Sequence, residues 1–502
     1  MTGTTEAEVG TPDGAAVTRL PDVPPGVPAP PYDRSRVTAG IVHLGVGGFH
    51  RAHQAVYLDD LLARGGDALG WGVCGVGILP ADAAMRDALR AQDCLYTVVV
   101  KHADDRLEPR VVGSLVEYLL LPDDPHAVVE RMADPAVRIV SLTVTEGGYH
   151  VHQVTGELDA SDPALQADLV PGAAPTTTFG LLLAALRLRR ERGVPPFTVL
   201  SCDNLQGNGD IARRMVAAYA RLADPALGEW VASEVAFPNC MVDRITPVTR
   251  DGDREALAAT AGLADRWPVV CEPFTQWVVE ERFPLGRPAW EEVGVQMADS
   301  VEPYELIKLR LLNASHQAIA YLGHLAGHTY AHEVLDRDDF RRLLRGYMDL
   351  EATPTLHEVP GMDLEEYKAT LLERFANPQI ADTLARLCAF SSDRIPKWLL
   401  PVVRERLAAG GSVDHAALVV AAWARYAEGV DEQGRPIEVV DRLRGRVMAA
   451  AARHEEDELA FLRDPDLFGG LVDEPAFTEP YLRSLRTLRS TGADAALREV
   501  VG

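Results

Sequence analysis

From residue 41 onward the chain alternates short apolar runs with amphipathic stretches. The runs at 41–44, 71–79, 96–100, 138–145 and 197–202 read as buried strands. Between several of them, as at 49–64 and 179–192, apolar side chains recur at spacings of three and four, the period of a helix packed on one face. Strands alternating with helices predict an α/β fold with a mostly parallel sheet. After about residue 298 the strand pattern fades. Residues 301–325, 337–350, 364–376, 380–389, 415–427 and 437–453 read as helices, with Pro360, Pro378, Pro396 and Pro401 at boundaries among them. The expected organisation is an α/β domain over 37–297 and a mainly α-helical C-terminal domain over 298–502, without internal repeats. Ahead of both, prolines at 21, 24, 25, 28, 30 and 31 oppose helix and sheet pairing. Residues 1–36 are therefore expected to be a flexible tail, with a proline-rich docking peptide as the alternative.

At 502 residues the chain has the length for two or three domains, and 47% hydrophobic residues allow large cores, which excludes a wholly disordered chain. Its 49 basic residues against 74 acidic ones leave a net charge of −25. That balance repels phosphate backbones and no basic stripe overrides it, so nucleic acid is not an expected partner. No apolar stretch reaches the roughly 18 residues that a membrane span needs. The start, MTGTTEAEVG, is acidic rather than basic and then apolar, so the expected location is cytoplasmic, with no membrane partner. Cys74, Cys94, Cys202, Cys240, Cys271 and Cys388 are scattered without a Cys-x-x-Cys pair. Free buried thiols in a reducing compartment are expected, not a zinc or redox site.

Candidate chemistry begins in Ile-Val-His-Leu-Gly-Val-Gly-Gly-Phe-His, residues 41–50. Gly45, Gly47 and Gly48 follow a predicted strand and open a predicted helix, where small residues let the backbone approach a pyrophosphate and helix N–H groups face it. Gly45, Val46, Gly47, Gly48, Phe49 and His50 are thus the candidate dinucleotide-binding residues of a Rossmann-type domain. His50 stands where the usual third glycine falls, so a plain tight turn remains the competing reading. Asp82, just past the strand at 71–79, is suited to accept hydrogen bonds from an adenosine ribose and to repel a 2′-phosphate, which favours NAD over NADP. Its spacing from the glycines exceeds the usual value of about 20 residues, and an exposed loop aspartate is the alternative.

The run Tyr304-Glu-Leu-Ile-Lys308-Leu-Arg-Leu-Leu-Asn313-Ala-Ser-His316 carries the most chemistry. At about 100° per residue, Asn313 and His316 lie roughly 140° and 80° round from Lys308, so the three share one broad helix face. Oxidising a secondary alcohol requires a base for the hydroxyl proton and donors for the oxygen as negative charge grows on it. A partly desolvated lysine suits the first task, an asparagine NH₂ the second, and a histidine can position the hydroxyl. A surface lysine beside core-satisfied Asn313 and His316 is the competing reading. Tyr304 and Lys308 also spell the Tyr-x-x-x-Lys pair of short-chain dehydrogenases, but here the pair opens the helical half, so Tyr304 is not expected to be the base. His50 and His53 are three apart, and His324, His328 and His332 four apart along a predicted helix. They lack a His-Glu-x-x-His pattern or clustered carboxylates, so no catalytic metal is expected. Neither a Gly-x-Ser-x-Gly elbow nor a Gly-x-x-x-x-Gly-Lys-Ser/Thr loop is present, so hydrolase and NTPase readings lack their motif.

Six segments occur in order: Gly-Val-Gly-Gly-Phe-His-Arg-Ala-His-Gln (45–54), Thr-Glu-Gly-Gly-Tyr (145–149), Cys-Asp-Asn-Leu-Gln-Gly-Asn-Gly (202–209), Phe-Pro-Asn-Cys-Met-Val-Asp-Arg-Ile-Thr-Pro (237–247), Lys-Leu-Arg-Leu-Leu-Asn-Ala-Ser-His (308–316) and Ser-Ser-Asp-Arg-Ile-Pro-Lys (391–397). Together they resemble the polyol-specific long-chain dehydrogenase family over roughly residues 38–465. The resemblance implies an NAD-dependent, metal-independent interconversion of D-mannitol and D-fructose, carried out by a monomer. It implies Lys308 as general base, Asn204 and Asn313 as the oxyanion site, and His316 as the residue orienting the substrate. It also implies Glu146 in proton exit by way of water, and Asp243, Arg394 and Lys397 near the polyol. Asn204 lies just past a predicted strand, at the edge where parallel sheets bind ligands. For Glu146 and Asp243 the alternative is a structural carboxylate paired with an arginine such as Arg244. D-arabinitol 4-dehydrogenase and fructuronate or tagaturonate reductase activities share these motifs, and the stretch 272–322 favours mannitol among them. An inactive nucleotide-binding regulator is the non-enzyme alternative, but it has no need of Lys308, Asn313 and His316 together.

Overall fold

Five parallel strands organise the first part of the chain: β1 (Ala39–Leu44), β2 (Gly72–Gly77), β3 (Leu115–Leu120), β4 (Ile139–Leu142) and β5 (Thr198–Ser201). Their order in the sheet is β3-β2-β1-β4-β5 and every neighbouring pair is parallel. In this computed structural model the described residues are Ala15, Ala16, Arg19, 22–152, 155–359 and 361–502. They divide into two compact units, Met1–Glu302 and Pro303–Gly502.

β1, β2, β4 and β5 are buried along their whole length. A sheet covered on both faces requires continuous apolar runs rather than alternation, which is why the hydrophobic pattern marks these strands so clearly. One face packs on Val128, Phe179, Leu182 and Met215 and the other on Leu58, Met85, Leu89 and Trp277. The order reverses between β1 and β4, and the carboxyl ends of the strands on either side of such a reversal form the ligand crevice of doubly wound folds. The predicted strand at 96–100 forms as Tyr96–Lys101, but outside this sheet, between Val269–Cys271 and Leu107–Val112.

Other expectations change as well. The helix predicted at 49–64 is two helices, Gly48–Ala52 and Gln54–Leu62, broken at His53 where φ is −124° and ψ −89°. The tail predicted at 1–36 is folded from Asp22: Val23, Val27 and Ala29 pack beside Val99 and Val111, and the Val111 N–H donates to the Pro28 carbonyl at 2.8 Å. Tyr32 Oη donates to Asp59 Oδ1 at 2.5 Å, so these prolines stiffen a strap against the unit. Most of residues 1–21 lie outside the described residues, and Ala15–Ala16 pairs with Leu263–Ala264. Finally, His324 lies in helix Ala314–Leu325, but His328 follows that helix and His332 belongs to Ala331–Leu335. Their rings pack on Tyr426, Phe340 and Tyr330.

The second unit is helical, and two of its predicted helices are shorter than their patterns, Leu384–Cys388 and Arg444–Ala452. All six cysteines are buried and free. Among the described residues no helix is long and apolar enough to cross a membrane.

The crossover from β4 to β5 is closed by one cation. Arg189, fully buried near the end of helix Thr178–Glu191, donates from Nε to the Pro195 carbonyl at 2.7 Å. Its Nη1 reaches the carbonyls of Met132, Asp134 and Val137 at 3.2, 3.1 and 2.8 Å. Arg189→Met keeps the apolar stem but strips four carbonyls of a donor. It is expected to destabilise the fold by about 3 kcal/mol, read as a lower midpoint in urea.

Candidate active site

The first unit gathers its candidate residues at strand ends. After β1, Gly45 takes φ +87°, and a Cβ there would lie 2.3 Å from the Thr143 carbonyl oxygen, so only glycine fits. Gly47 caps the following helix, and a Cβ on it would meet nothing nearer than 3.9 Å. The turn is held from beneath. Thr143 Oγ1 donates to the Gly45 carbonyl at 2.7 Å and accepts from His43 Nε2 at 2.8 Å. With the threonine proton so committed, His43 carries its proton on Nε2 and accepts from Ser141 Oγ on Nδ1, at 2.8 Å. Burial pushes His43 down to about 3, so the pillar is neutral.

His50 departs from its expected role. Its side chain is 1% exposed and stacks on the His43 ring at 3.5 Å, so it faces the interior rather than a ligand on the turn. Asp82 is half-buried, and Oδ2 accepts the Ile78 and Leu79 N–H groups at 2.9 Å each. All its hydrogen bonds among the described residues use that one oxygen.

The ends of β4 and β5 are tied together by Asp203. Its Oδ1 accepts from the Thr145 N–H at 2.8 Å, and its Oδ2 from the Val144 N–H at 3.0 Å and Tyr149 Oη at 2.7 Å. Thr145 sits at φ 62°, ψ 171°, a region close to glycine-only that costs about 1–3 kcal/mol for other residues. Exposed Glu146 follows it and opens the short turn Glu146–Tyr149. Exposed Asn204 follows Asp203. Asn208, which is buried, donates to the carbonyls of Asp203 and Cys240 at 3.1 and 2.8 Å and so joins this loop to the strand Cys240–Asp243. Asp243, 5% exposed, ends that strand. Arg244, its expected structural partner, instead donates to the carbonyls of Glu272 and Ala52.

In the second unit Lys308, Asn313 and His316 lie on one continuous helical run whose middle, Lys308–Asn313, is a π-helix. The Ala314 N–H reaches back five residues to the Leu309 carbonyl. The 3.6-residue repeat assumed from sequence therefore fails here, and the wider turn brings positions five apart, Lys308 and Asn313, toward a common side. π turns of this kind recur at functional sites. Tyr347 Oη donates to the Arg310 carbonyl inside the turn at 3.1 Å, and the Arg310 guanidinium grips Glu405 with two bonds of 2.7 Å.

Lys308 is 8% exposed and Asn313 6%. Asn313 Nδ2 is buried and finds no hydrogen-bond acceptor among the described residues. Such a donor normally has a partner, and leaving it without one costs about 1–3 kcal/mol. His316 is half-buried with its ring 4.2 Å from that of Phe375. On helix Ser391–Trp398, Lys397 is exposed, whereas Arg394 Nη1 donates to the carbonyls of Leu387 and Arg386 at 3.0 and 3.3 Å.

The chain matches the mannitol dehydrogenase Rossmann domain over residues 39–292 and the mannitol dehydrogenase C-terminal domain over residues 300–489. The chain belongs to the mannitol dehydrogenase family. Among family members, the mannitol 2-dehydrogenase of Neosartorya fischeri is 47% identical over 467 residues, 92% of each chain. Mannitol dehydrogenase 2 of Saccharomyces cerevisiae is 45% identical over 478 residues, 95% of each chain. Of solved structures, the Pseudomonas fluorescens mannitol 2-dehydrogenase ternary complex with NAD and D-mannitol superposes with a TM-score of 0.86 at 44% identity, covering 96% of this chain and 98% of that one. A substrate-free D-sorbitol dehydrogenase gives 0.89 at 35% identity, covering 95% and 99%.

The family motifs contain two features that sequence reading passes over. Asp203 stands inside the motif that supplied Asn204, and only the fold reveals what its carboxylate holds. The π turn has no sequence signal, because its residues are ordinary helix formers.

The orphaned amide separates the functional and structural readings of Asn313. A structural asparagine is stabilising where it stands, whereas a functional one is tolerated at a cost. Asn313→Leu is expected to leave the melting temperature unchanged or raise it by a few degrees; a loss of about 2 kcal/mol or more would mark the amide as structural.

Proposed function

We propose that this protein is an NAD-dependent D-mannitol 2-dehydrogenase, interconverting D-mannitol and D-fructose without a metal. The observation that carries the reading is the buried, unpartnered Nδ2 of Asn313, five residues from a buried lysine on the same π turn. A donor held ready in a desolvated place, beside a base, is what a developing alkoxide requires.

The dinucleotide fits the residues present: Gly45 gives the tight turn, Gly47 leaves its backbone open to approach, and Asp82 retains Oδ1 for a ribose hydroxyl. His50 contributes to this site through its backbone at most. NAD⁺, when bound, supplies the hydride acceptor. In this reading Lys308 Nζ takes the hydroxyl proton of the polyol. Asn313 Nδ2 and the amide of Asn204 hold the oxygen as charge gathers on it, and His316 orients the hydroxyl. Glu146, exposed on its turn, receives the proton from the lysine by way of water and passes it to solvent. Asp243, Arg394 and Lys397 hydrogen-bond the remaining hydroxyls. Six reduced, buried thiols accord with a cytoplasmic protein. A monomer is proposed as the working state.

D-sorbitol is the second candidate substrate, favoured by the 0.89 superposition, but the lower identity of that relative ranks it behind mannitol. The test is NADH formation from D-mannitol, D-sorbitol, D-arabinitol and D-mannonate, with NADP⁺ in parallel. Mannitol leading with NAD⁺ is the expected result. Mannonate leading would move the function to a uronate reductase, and silence across the panel would favour a non-catalytic nucleotide-binding protein. Lys308→Ala is expected to lower turnover by about 10²–10⁴ and Tyr304→Phe to change it little. The reverse pattern would overturn the assigned base.

A further inference from the structure

We propose that Asp203 is a positioning residue, a carboxylate clamp that holds the Glu146 turn in its strained working form. The proposal rests on the reading above that Glu146 serves the reaction. Its support is geometric. Thr145, β-branched, adopts φ 62°, ψ 171° immediately before Glu146. Such a conformation persists only where its surroundings over-determine it. Here the N–H groups of Val144 and Thr145 both point at the Asp203 carboxylate, one to each oxygen, at 3.0 and 2.8 Å.

The clamp is itself braced. Tyr149, fully buried at the far end of the Glu146 turn, donates to Asp203 Oδ2 at 2.7 Å, and its Oη also contacts Ser201 Oγ in β5. The backbone of Asp203 is fixed independently, because its carbonyl accepts from Asn208 Nδ2 at 3.1 Å and from the Leu205 N–H at 2.8 Å. A three-bond carboxylate therefore grips both ends of the turn that carries Glu146, from the residue next to Asn204.

A turn needed only to link β4 to the next helix would be made more cheaply with glycine at 145 and no buried charge at 203. Burial raises the Asp203 carboxyl above its ordinary range, and the nearby charge of Glu146 adds to the rise. Burying a carboxylate at the expense of stability is characteristic of a site rather than a scaffold.

The experiment uses the full-length protein with mannitol and NAD⁺, and compares Asp203→Asn, Glu146→Gln, the double variant, and Asp203→Asn combined with Thr145→Gly. Asparagine offers one acceptor where the carboxylate offers two, so one of the two N–H groups loses its partner. Asp203→Asn is expected to lower kcat by about 10–100-fold while KM and NADH affinity stay within about twofold. Combined with Glu146→Gln it should cost no more than the more severe single change, because the clamp acts through the glutamate. Thr145→Gly, which adopts the same backbone without strain, should restore part of the lost turnover in the Asp203→Asn background, a rescue that a merely structural role would not give.

Wild-type turnover in Asp203→Asn beside an impaired Glu146→Gln would overturn the clamp alone, as would multiplicative losses in the double variant. Wild-type turnover in Glu146→Gln would instead overturn the role of the glutamate and the purpose of the clamp with it. Should Asp203→Asn fail to fold, Tyr149→Phe removes one of the three bonds and leaves both backbone ones. A loss of about two- to fivefold in kcat is then expected, and unchanged kcat would overturn the proposal.

Discussion

A sheet covered on both faces confines polar chemistry to its strand ends, and in the first unit this constraint decides where Gly45, Glu146 and Asn204 stand. β1, β4 and β5 are buried to their last residues, with the polar His43, Ser141, Thr198 and Ser201 among apolar ones, then give way to Gly45, Thr143 and Cys202-Asp203. Each end needs an interior polar group to fix a backbone that the ladder no longer holds. His43 does this for the glycine turn through Thr143, and it can because burial keeps the imidazole neutral. A charged ring at the same place would be isolated from water, at a cost of several kcal/mol.

The second unit solves a different problem with helices. A helix presents side chains at fixed angles, and an uninterrupted α-helix would put Lys308 and Asn313 well apart around the axis. The π turn removes that difficulty. Its backbone is secured from outside, with Tyr347 on the Arg310 carbonyl and with the Arg310 side chain anchored to Glu405 and to the Thr355 carbonyl at 2.7 Å. A second π turn, Tyr347–Ala352, supplies that tyrosine, so each irregular turn meets the other.

Much of this was legible in the sequence, for reasons that are local. Apolar runs long enough for fully buried strands mark β1, β2, β4 and β5, and glycine is required at Gly45 by the sign of φ. What escaped depends on tertiary context. Prolines 24 to 31 suggest a tail, and only the packing of Val23, Val27 and Ala29 beside Val99 and Val111 shows that they form a strap. His50 occupies the slot of a glycine in the motif, but its ring is taken by His43. Arg394 matches a family position, yet part of its guanidinium satisfies carbonyls at the end of helix Leu384–Cys388. Asp203 reads as one more acidic residue until Thr145 is seen to need it.

A π turn is an α-helix carrying one residue more than its repeat can absorb. Everything after Asn313 is therefore rotated by about 100° relative to the helix an unbroken repeat would have built. The face that Ala314–Leu325 buries is thus set independently of the face that Glu302–Ile307 buries. A single inserted residue acts here as a swivel, letting packing on one side of the lysine be optimised without disturbing packing on the other.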